Sequence, residues 1–387
     1  MPDPVSANCC PACASRSSHL LDWEFSGLGD SVFNYTADFH ACSACGLVYV
    51  SNISDVGLSR FYDEECGYFD KTHYAVTDPA NQRKYAFYIR FLKEQGITSV
   101  ETADVGCGRG GFATWLAESG WEKTCWGVDV DVRSLPDNSG PHRQVSFRQG
   151  SCLNLPFEDN TLGLLTYFHV LEHIRDLSGL LAEAARVLRE DGHILIEVPD
   201  AEHYSSLPIG SGFWFSIREH INHFTAKSLV VALQAHGLAA FTISQQRLES
   251  PESDYPSLMV LARKNSASPS AVLSTSGEVS AFARLSQQAL IRQAERISDL
   301  AAAQPLTLWG CSSEMFSFLP LLDICQARLC DSSKFKQQMH YRGLVVQDPA
   351  AVPVKGLLVV VPYRHKAAIK TAAQRLGWPE NAIYCPE

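Results

Sequence analysis

Four cysteines fall in two pairs with the spacing of metal knuckles, Cys10-Pro-Ala-Cys13 and Cys42-Ser-Ala-Cys45-Gly46. Thiolates at this spacing can close a tetrahedral zinc site, and Gly46 suits the tight turn after the second pair. A site of four thiolates keeps no open coordination position, so its expected role is structural. Zinc would supply the folding energy that so short a segment cannot obtain from burial. Cys9 is a possible substitute for Cys10, His19 and His40 are spare ligands, and free structural thiols are the opposing reading. Further along, Ala103-Asp104-Val105-Gly106-Cys107-Gly108-Arg109-Gly110-Gly111 is a glycine-rich turn, with Asp129 about 20 residues on. Glycines there admit backbone torsions closed to other residues and let a ligand approach the main chain. Two clusters hold candidate bases: His169, Glu172 and His173, and then Arg218-Glu219-His220-Ile221-Asn222-His223-Phe224.

The elements that must position these groups alternate in type. Helical periodicity is expected over Arg83–Gln95, Gly111–Ser119 and Asp176–Arg189. Strands are expected at Ser99–Val105, Thr124–Val130, Val145–Gln149, Leu162–Phe168 and His193–Val198. Apolar strands alternating with amphipathic helices predict a parallel sheet covered on both faces, with ligands at the carboxyl ends of its strands. A chain of 387 residues exceeds one ordinary core, and we divide it into four parts. Residues 1–80 hold the cysteine pairs and an aromatic, acidic stretch, and residues 81–264 hold the glycine turn. Residues 265–277 are Ser-rich and read as a linker. Residues 278–387 open with a long helix, Glu278–Ala303, and continue with strands at Leu306–Trp309, Ala327–Cys330 and Gly356–Val361 and a helix at Lys366–Leu376, a second and smaller α/β unit.

The glycine turn fits G-x-G-x-x-G, so a dinucleotide must be weighed against other adenosine cofactors; Asp129 could bind the ribose diol of either. Asp104 decides between them. A carboxylate at the mouth of the turn would repel a pyrophosphate but favour the ammonium and sulfonium of S-adenosylmethionine. The net charge of −10 argues against a nucleic-acid partner. No apolar run approaches a membrane span, and no signal-peptide pattern opens the chain. Thirteen cysteines, an odd number without such a signal, point to a reducing cytoplasm.

Asp104–Gly110 resembles the first motif of class I S-adenosylmethionine-dependent methyltransferases. Gly127-Val128-Asp129-Val130-Asp131 resembles the second, and Leu155-Pro156-Phe157-Glu158-Asp159-Asn160 the third. His169–His173, Arg186-Val187-Leu188 with Asp191-Gly192, and Glu197-Val198-Pro199 follow in the family's order. The resemblance implies a Rossmann-like α/β domain whose cofactor lies against Asp104, Gly106, Cys107, Gly108, Asp129, Val130, Ser151 and Cys152. Ser151 stands where the family often has an acidic residue for the adenine amino group, and Leu162-Gly163 where it often has Phe-Asp.

A narrower likeness covers nearly the whole chain. Glu219-His220-Ile221-Asn222-His223-Phe224-Thr225, with the cysteine pairs before it and the α/β tail after it, looks like the three-domain sugar C-methyltransferases. In the tail, Leu308-Trp309-Gly310-Cys311-Ser312-Ser313, Cys330-Asp331 with Lys336-Gln337, and Val360-Val361-Pro362-Tyr363 follow that family's outline. That resemblance implies a zinc-binding N-terminal module, a donor-binding middle domain and a tail domain that helps bind a nucleotide-linked sugar. It implies His220 as the base, Glu219 and His173 as active-site partners, and a tyrosine such as Tyr68 closing over the acceptor. Ile217 stands where that family has tyrosine, and Glu314 stands in the tail's glycine turn, where a carboxylate disfavours phosphate. The rivals are an oxygen or nitrogen methyltransferase of a natural-product pathway, an RNA methyltransferase and a non-enzymatic scaffold.

Overall fold

Short apolar runs in the middle of the chain form its largest sheet. A computed structural model describes residues 9–65, 77–131, 133, 135–136, 145–207, 212–251, 253–265 and 277–386. Residues 266–276 of the expected linker (265–277), and Tyr68 and Tyr74 of the aromatic stretch, lie outside the described residues.

In the N-terminal segment, β1 (Ser18–Glu24), β2 (Thr36–Ala41) and β3 (Val48–Val50) form an antiparallel meander, followed by helix α1 (Asp55–Arg60). Helix α2 (Pro79–Glu94) comes next; Asp78 accepts from the Ala80 N–H at its start, where Pro79 has no N–H to leave unpaired. Then come β4 (Thr102–Val105), α3 (Gly111–Glu118), β5 (Cys125–Asp129), β6 (Val145–Gln149), β7 (Leu162–Phe168), α4 (Leu177–Val187) and β8 (Leu188–Pro199). Helix α5 (Phe213–Ser216) and the two-residue strand β9 (Asn222–His223) precede α6 (Ala226–Gln234), β10 (Leu238–Leu248) and β11 (Tyr255–Lys264).

The large sheet runs β10-β11-β8-β7-β4-β5-β6. It is parallel from β8 to β6, as the alternation predicted, but β11 is antiparallel to both β8 and β10. The purely parallel expectation is therefore corrected: β10 carries polar residues along much of its length and sits at the edge, without the continuous apolar run of an inner strand. The helix expected to reach Arg189 ends at Val187, because Leu188 is extended and pairs with Leu162.

The N-terminal meander gains a fourth strand from far down the chain. In β9, His223 pairs with Val48 and Asn222 with Tyr49. The segment holding the second histidine cluster is thus part of the N-terminal sheet and not a free loop. Thr225, which caps α6 in a reciprocal box with Ser228, also donates its hydroxyl to the Cys45 carbonyl at 3.0 Å.

Helix α7 (Glu278–Ala301) leads into the last unit: β12 (Leu306–Trp309), α8 (Ser313–Phe318), β13 (Arg328–Cys330), β14 (His340–Tyr341), β15 (Leu344–Gln347), β16 (Leu357–Val360), α9 (Lys366–Arg375) and β17 (Ile383–Tyr384). Its sheet runs β14-β15-β13-β12-β16-β17. This unit shares a core with the N-terminal sheet. Trp23 donates to the Ser317 hydroxyl, and Arg218 lies between the rings of Phe33 and Phe316 while donating to the Ser26 carbonyl. A buried guanidinium is tolerated where ring faces and a carbonyl replace water. Among the described residues no helix is long and apolar enough to cross a membrane.

Candidate active site

The four knuckle cysteines converge. Cys10 and Cys45 sulfurs are 3.6 Å apart, Cys13 and Cys42 sulfurs 3.5 Å, and all four lie within 4.8 Å of one another. Sulfurs about 2.3 Å from a tetrahedral ion stand about 3.8 Å apart, so the set fits zinc with little movement. Ala14 and Gly46 take positive φ of 55° and 85°, and their N–H groups reach back to the carbonyls of Cys10 and Cys42, closing each knuckle. The Cys10 thiol is lowered to about 6, first by its bond to Cys45, whose own thiol is raised by the same bond and by burial.

At the glycine turn, Gly106 and Gly108 have φ of +74° and +52°. A Cβ on Gly106 would sit 2.5 Å from Val170 Cγ2, so the turn abuts the loop that follows β7. Asp129, at the end of β5, accepts from the Gly108 N–H at 2.8 Å and the Asp131 N–H at 2.9 Å, which orients its carboxylate across the turn. Asp104 is 4% exposed and accepts from the Thr166 hydroxyl at 2.8 Å. Burial pushes its carboxyl up to about 7; the Thr166 bond opposes the rise and the Asp129 charge adds to it. The charge that acts on Asp104 is another carboxylate, so burial and repulsion together favour its protonated form, and a cation brought to the turn would offset both.

Beyond Val170, His169 is held at φ 56°, uncommon for a residue with a side chain. Its Nδ1 lies 3.1 Å from Glu172 Oε1 and its Nε2 lies 3.7 Å from Glu197 Oε1. Burial lowers its pKa, but the Glu197 charge and the Glu172 bond outweigh burial and raise it overall. Glu197 is fully buried in β8, where it accepts from Tyr88, Tyr255 (2.8 Å) and Ser257 (2.7 Å). Burial alone would raise its carboxyl; His169, Lys84 and these hydroxyls bring it below the ordinary range. His173 Nδ1 lies 3.0 Å from the Glu219 carbonyl oxygen, and the rings of His173 and His220 meet edge to face at 4.8 Å. Burial first, then the charges of His173, His223, His169 and Arg364, holds His220 well below the usual imidazole value, so it is neutral near pH 7.

Residues 79–243 match a family model described as a methyltransferase domain. An uncharacterized methyltransferase of Bacillus subtilis, YcgJ, is 34% identical over 107 residues, covering 26% of this chain and 40% of the relative. Tocopherol O-methyltransferase of Arabidopsis thaliana is 27% identical over 168 residues (36% and 48%), and ajmaline N-methyltransferase of Rauvolfia serpentina 29% over 99 residues (24% and 34%). The chain carries a class I S-adenosylmethionine-dependent methyltransferase domain. It spans about two fifths of the length of the curated relatives it matches. The crystal structure of YcgJ superposes with a TM-score of 0.40 at 17% identity, covering 48% of this chain and 99% of that one.

Within the methyltransferase domain, Asp104, Gly106, Cys107, Gly108 and Asp129 come together around the turn; the Gly106 and Cys107 N–H groups both reach the Val128 carbonyl. Val130 is exposed, and Ser151 accepts from the Leu153 N–H in a turn beside the half-buried Cys152. His173, Glu219 and His220 lie side by side, joined by the His173 contacts to the other two. In the sequence Glu197 is legible only as part of the Glu197-Val198-Pro199 motif and His169 only as a member of its cluster; in the fold the partly exposed His169 joins the buried Glu172 and Glu197 in one network. A readable signal existed, because a carboxylate inside the apolar strand Ile194–Val198 has to be partnered.

Proposed function

We propose that the whole chain is an S-adenosylmethionine-dependent methyltransferase acting on a small polar acceptor, a sugar or sugar-like metabolite, with zinc held structurally by Cys10, Cys13, Cys42 and Cys45. The observation that carries the cofactor half is Asp104, a buried carboxylate that pays its desolvation cost beside the glycine turn with no cation among the groups that shift it. Bound S-adenosylmethionine supplies an activated methyl on a sulfonium. Asp104 would pair the ammonium end and Asp129 would accept from the ribose hydroxyls.

On the acceptor side, His220 takes the proton from the nucleophile. Its neutrality at pH 7 suits that task, and alignment matters more than basicity because the transferred methyl is already electrophilic. His173, with Nδ1–H held by the Glu219 carbonyl, and Glu219 orient the acceptor. The antiparallel pairing of β9 with β3 fixes the backbone just after His220, which favours a base held in one orientation. In the tail, Asp331 accepts from the Cys311 N–H at 2.7 Å, and Glu314 accepts from the Tyr363 N–H. Two carboxylates at that turn weigh against a phosphate there, so the acceptor reading is a sugar without commitment to its nucleotide. Heteroatom methylation is the second reading, favoured by Ile217 in place of tyrosine and by the O- and N-methyltransferases among the relatives.

The test is His220→Asn. Cofactor affinity is expected to stay within about twofold while turnover falls roughly 10²–10⁴-fold; near-normal turnover would retire His220 as the base. NMR of the product separates methyl on carbon from methyl on oxygen or nitrogen.

A further inference from the structure

Glu172, His173 and His220 bring a carboxylate and two imidazoles together, with one ligand atom from each within 4.8 Å of the others. Hydrogen bonding leaves this cluster unsatisfied in three places. His173 Nδ1 faces the Glu219 carbonyl oxygen, which can only accept, so the neutral ring carries its proton on Nδ1 and its lone pair on Nε2. That lone pair faces Glu172 Oε1 at 3.9 Å, one electron-rich atom toward another. Glu172 is 1% exposed, and its Oε2 is buried without a donor. His220 Nδ1 is also buried without a partner. Buried polar atoms are normally paired, and a cation held among these three side chains would give the carboxylate and the two rings a shared partner.

We infer that Glu172, His173 and His220 form a binding site for a divalent transition-metal ion of the Zn²⁺ or Co²⁺ kind. Two imidazoles and a carboxylate are the donor set of open, exchangeable sites for such ions, and imidazole nitrogen selects against Mg²⁺ and Ca²⁺. The bond from His173 Nδ1 to a carbonyl is the outer contact that fixes the tautomer of a metal-bound imidazole. Ligand atoms about 2.1 Å from a tetrahedral ion stand about 3.4 Å apart, so the 3.9 Å pair needs to close by only about half an ångström.

The consequence rests on the reading of His220 as the base. An ion on His220 occupies the lone pair that would accept the proton, so the metal-loaded and turnover-competent states exclude each other, and the ion inhibits. Binding itself does not depend on that reading and is tested without an acceptor. The full-length protein, its resident metal counted by mass spectrometry, is titrated with Co²⁺ and followed by visible absorption. The expected result is one equivalent giving weak d–d bands without the near-ultraviolet band of cobalt–thiolate bonds. Glu172→Gln and His173→Asn each weaken this binding at least about tenfold while S-adenosylhomocysteine affinity, which reports a folded domain, is retained. His220→Gln provides a third variant should Glu172→Gln, whose carboxylate also holds His169, fail to fold. Absence of the thiolate-free band in the wild type, or its persistence unchanged in the folded variants, overturns the site; a proton alone on His173 Nε2 would give the first of these outcomes. An active His220→Asn enzyme would instead sink the base assignment and leave the cobalt result standing.

Discussion

Asp104 makes cofactor affinity a function of pH, and its burial sets the window. Its carboxyl rises from the ordinary 3.8 to about 7. The folded-state value is the higher one, so the protonated form stabilises the fold; this contribution is complete below about pH 4 and is lost as pH rises through about 7. A ligand ammonium needs the ionised form. Below pH 7 binding must therefore expel a proton, and affinity should fall up to tenfold per pH unit. Between pH 8 and pH 5 the loss is about a hundredfold, or about 2.7 kcal/mol. Calorimetric titration with S-adenosylhomocysteine, whose ammonium stays charged over this range, reads the slope. Repeating it in buffers of different ionisation enthalpy counts the released proton. Asp104→Asn can keep the Thr166 bond while deleting the charge, so it should raise the melting temperature of the ligand-free protein at pH 8 and weaken binding there. Its residual slope belongs to Asp129, which burial also raises. Wild-type affinity constant within about twofold from pH 5 to 8, or an unchanged slope in Asp104→Asn, would refute the pairing of Asp104 with the ligand cation.

Two further outcomes follow from the packing. Cys42→Ser, or a strong chelator, is expected to remove one equivalent of zinc and lower the melting temperature by several degrees, because the second knuckle anchors β3 and receives the Thr225 bond; metal analysis with thermal melts checks both. Gly106→Ala places a methyl 2.5 Å from Val170 Cγ2 at φ +74°, a strain of about 1–3 kcal/mol, and should weaken cofactor binding roughly 10- to 100-fold; Val170→Ala in the same chain should restore the steric part, leaving the torsional part.

The local signals were legible because they are local. The strand Leu162–Phe168 falls where its apolar run predicts, the turn between β4 and α3 sits where its glycines demand left-handed torsions, and Asp129 reaches that turn from the end of the next strand. The spacing of each cysteine pair made a knuckle readable, since two residues between ligands define a turn by themselves. What the sequence alone determined was thus the order of strands and helices in the donor domain and the residue types at its glycine turn. Tertiary structure decided the rest: that Asn222–His223 complete a sheet begun at Ser18, that His169 bridges Glu172 and Glu197, and that His173 and His220 come together beside Glu172. These depend on contacts between segments tens to hundreds of residues apart, and a single residue's identity carries no record of its distant partner.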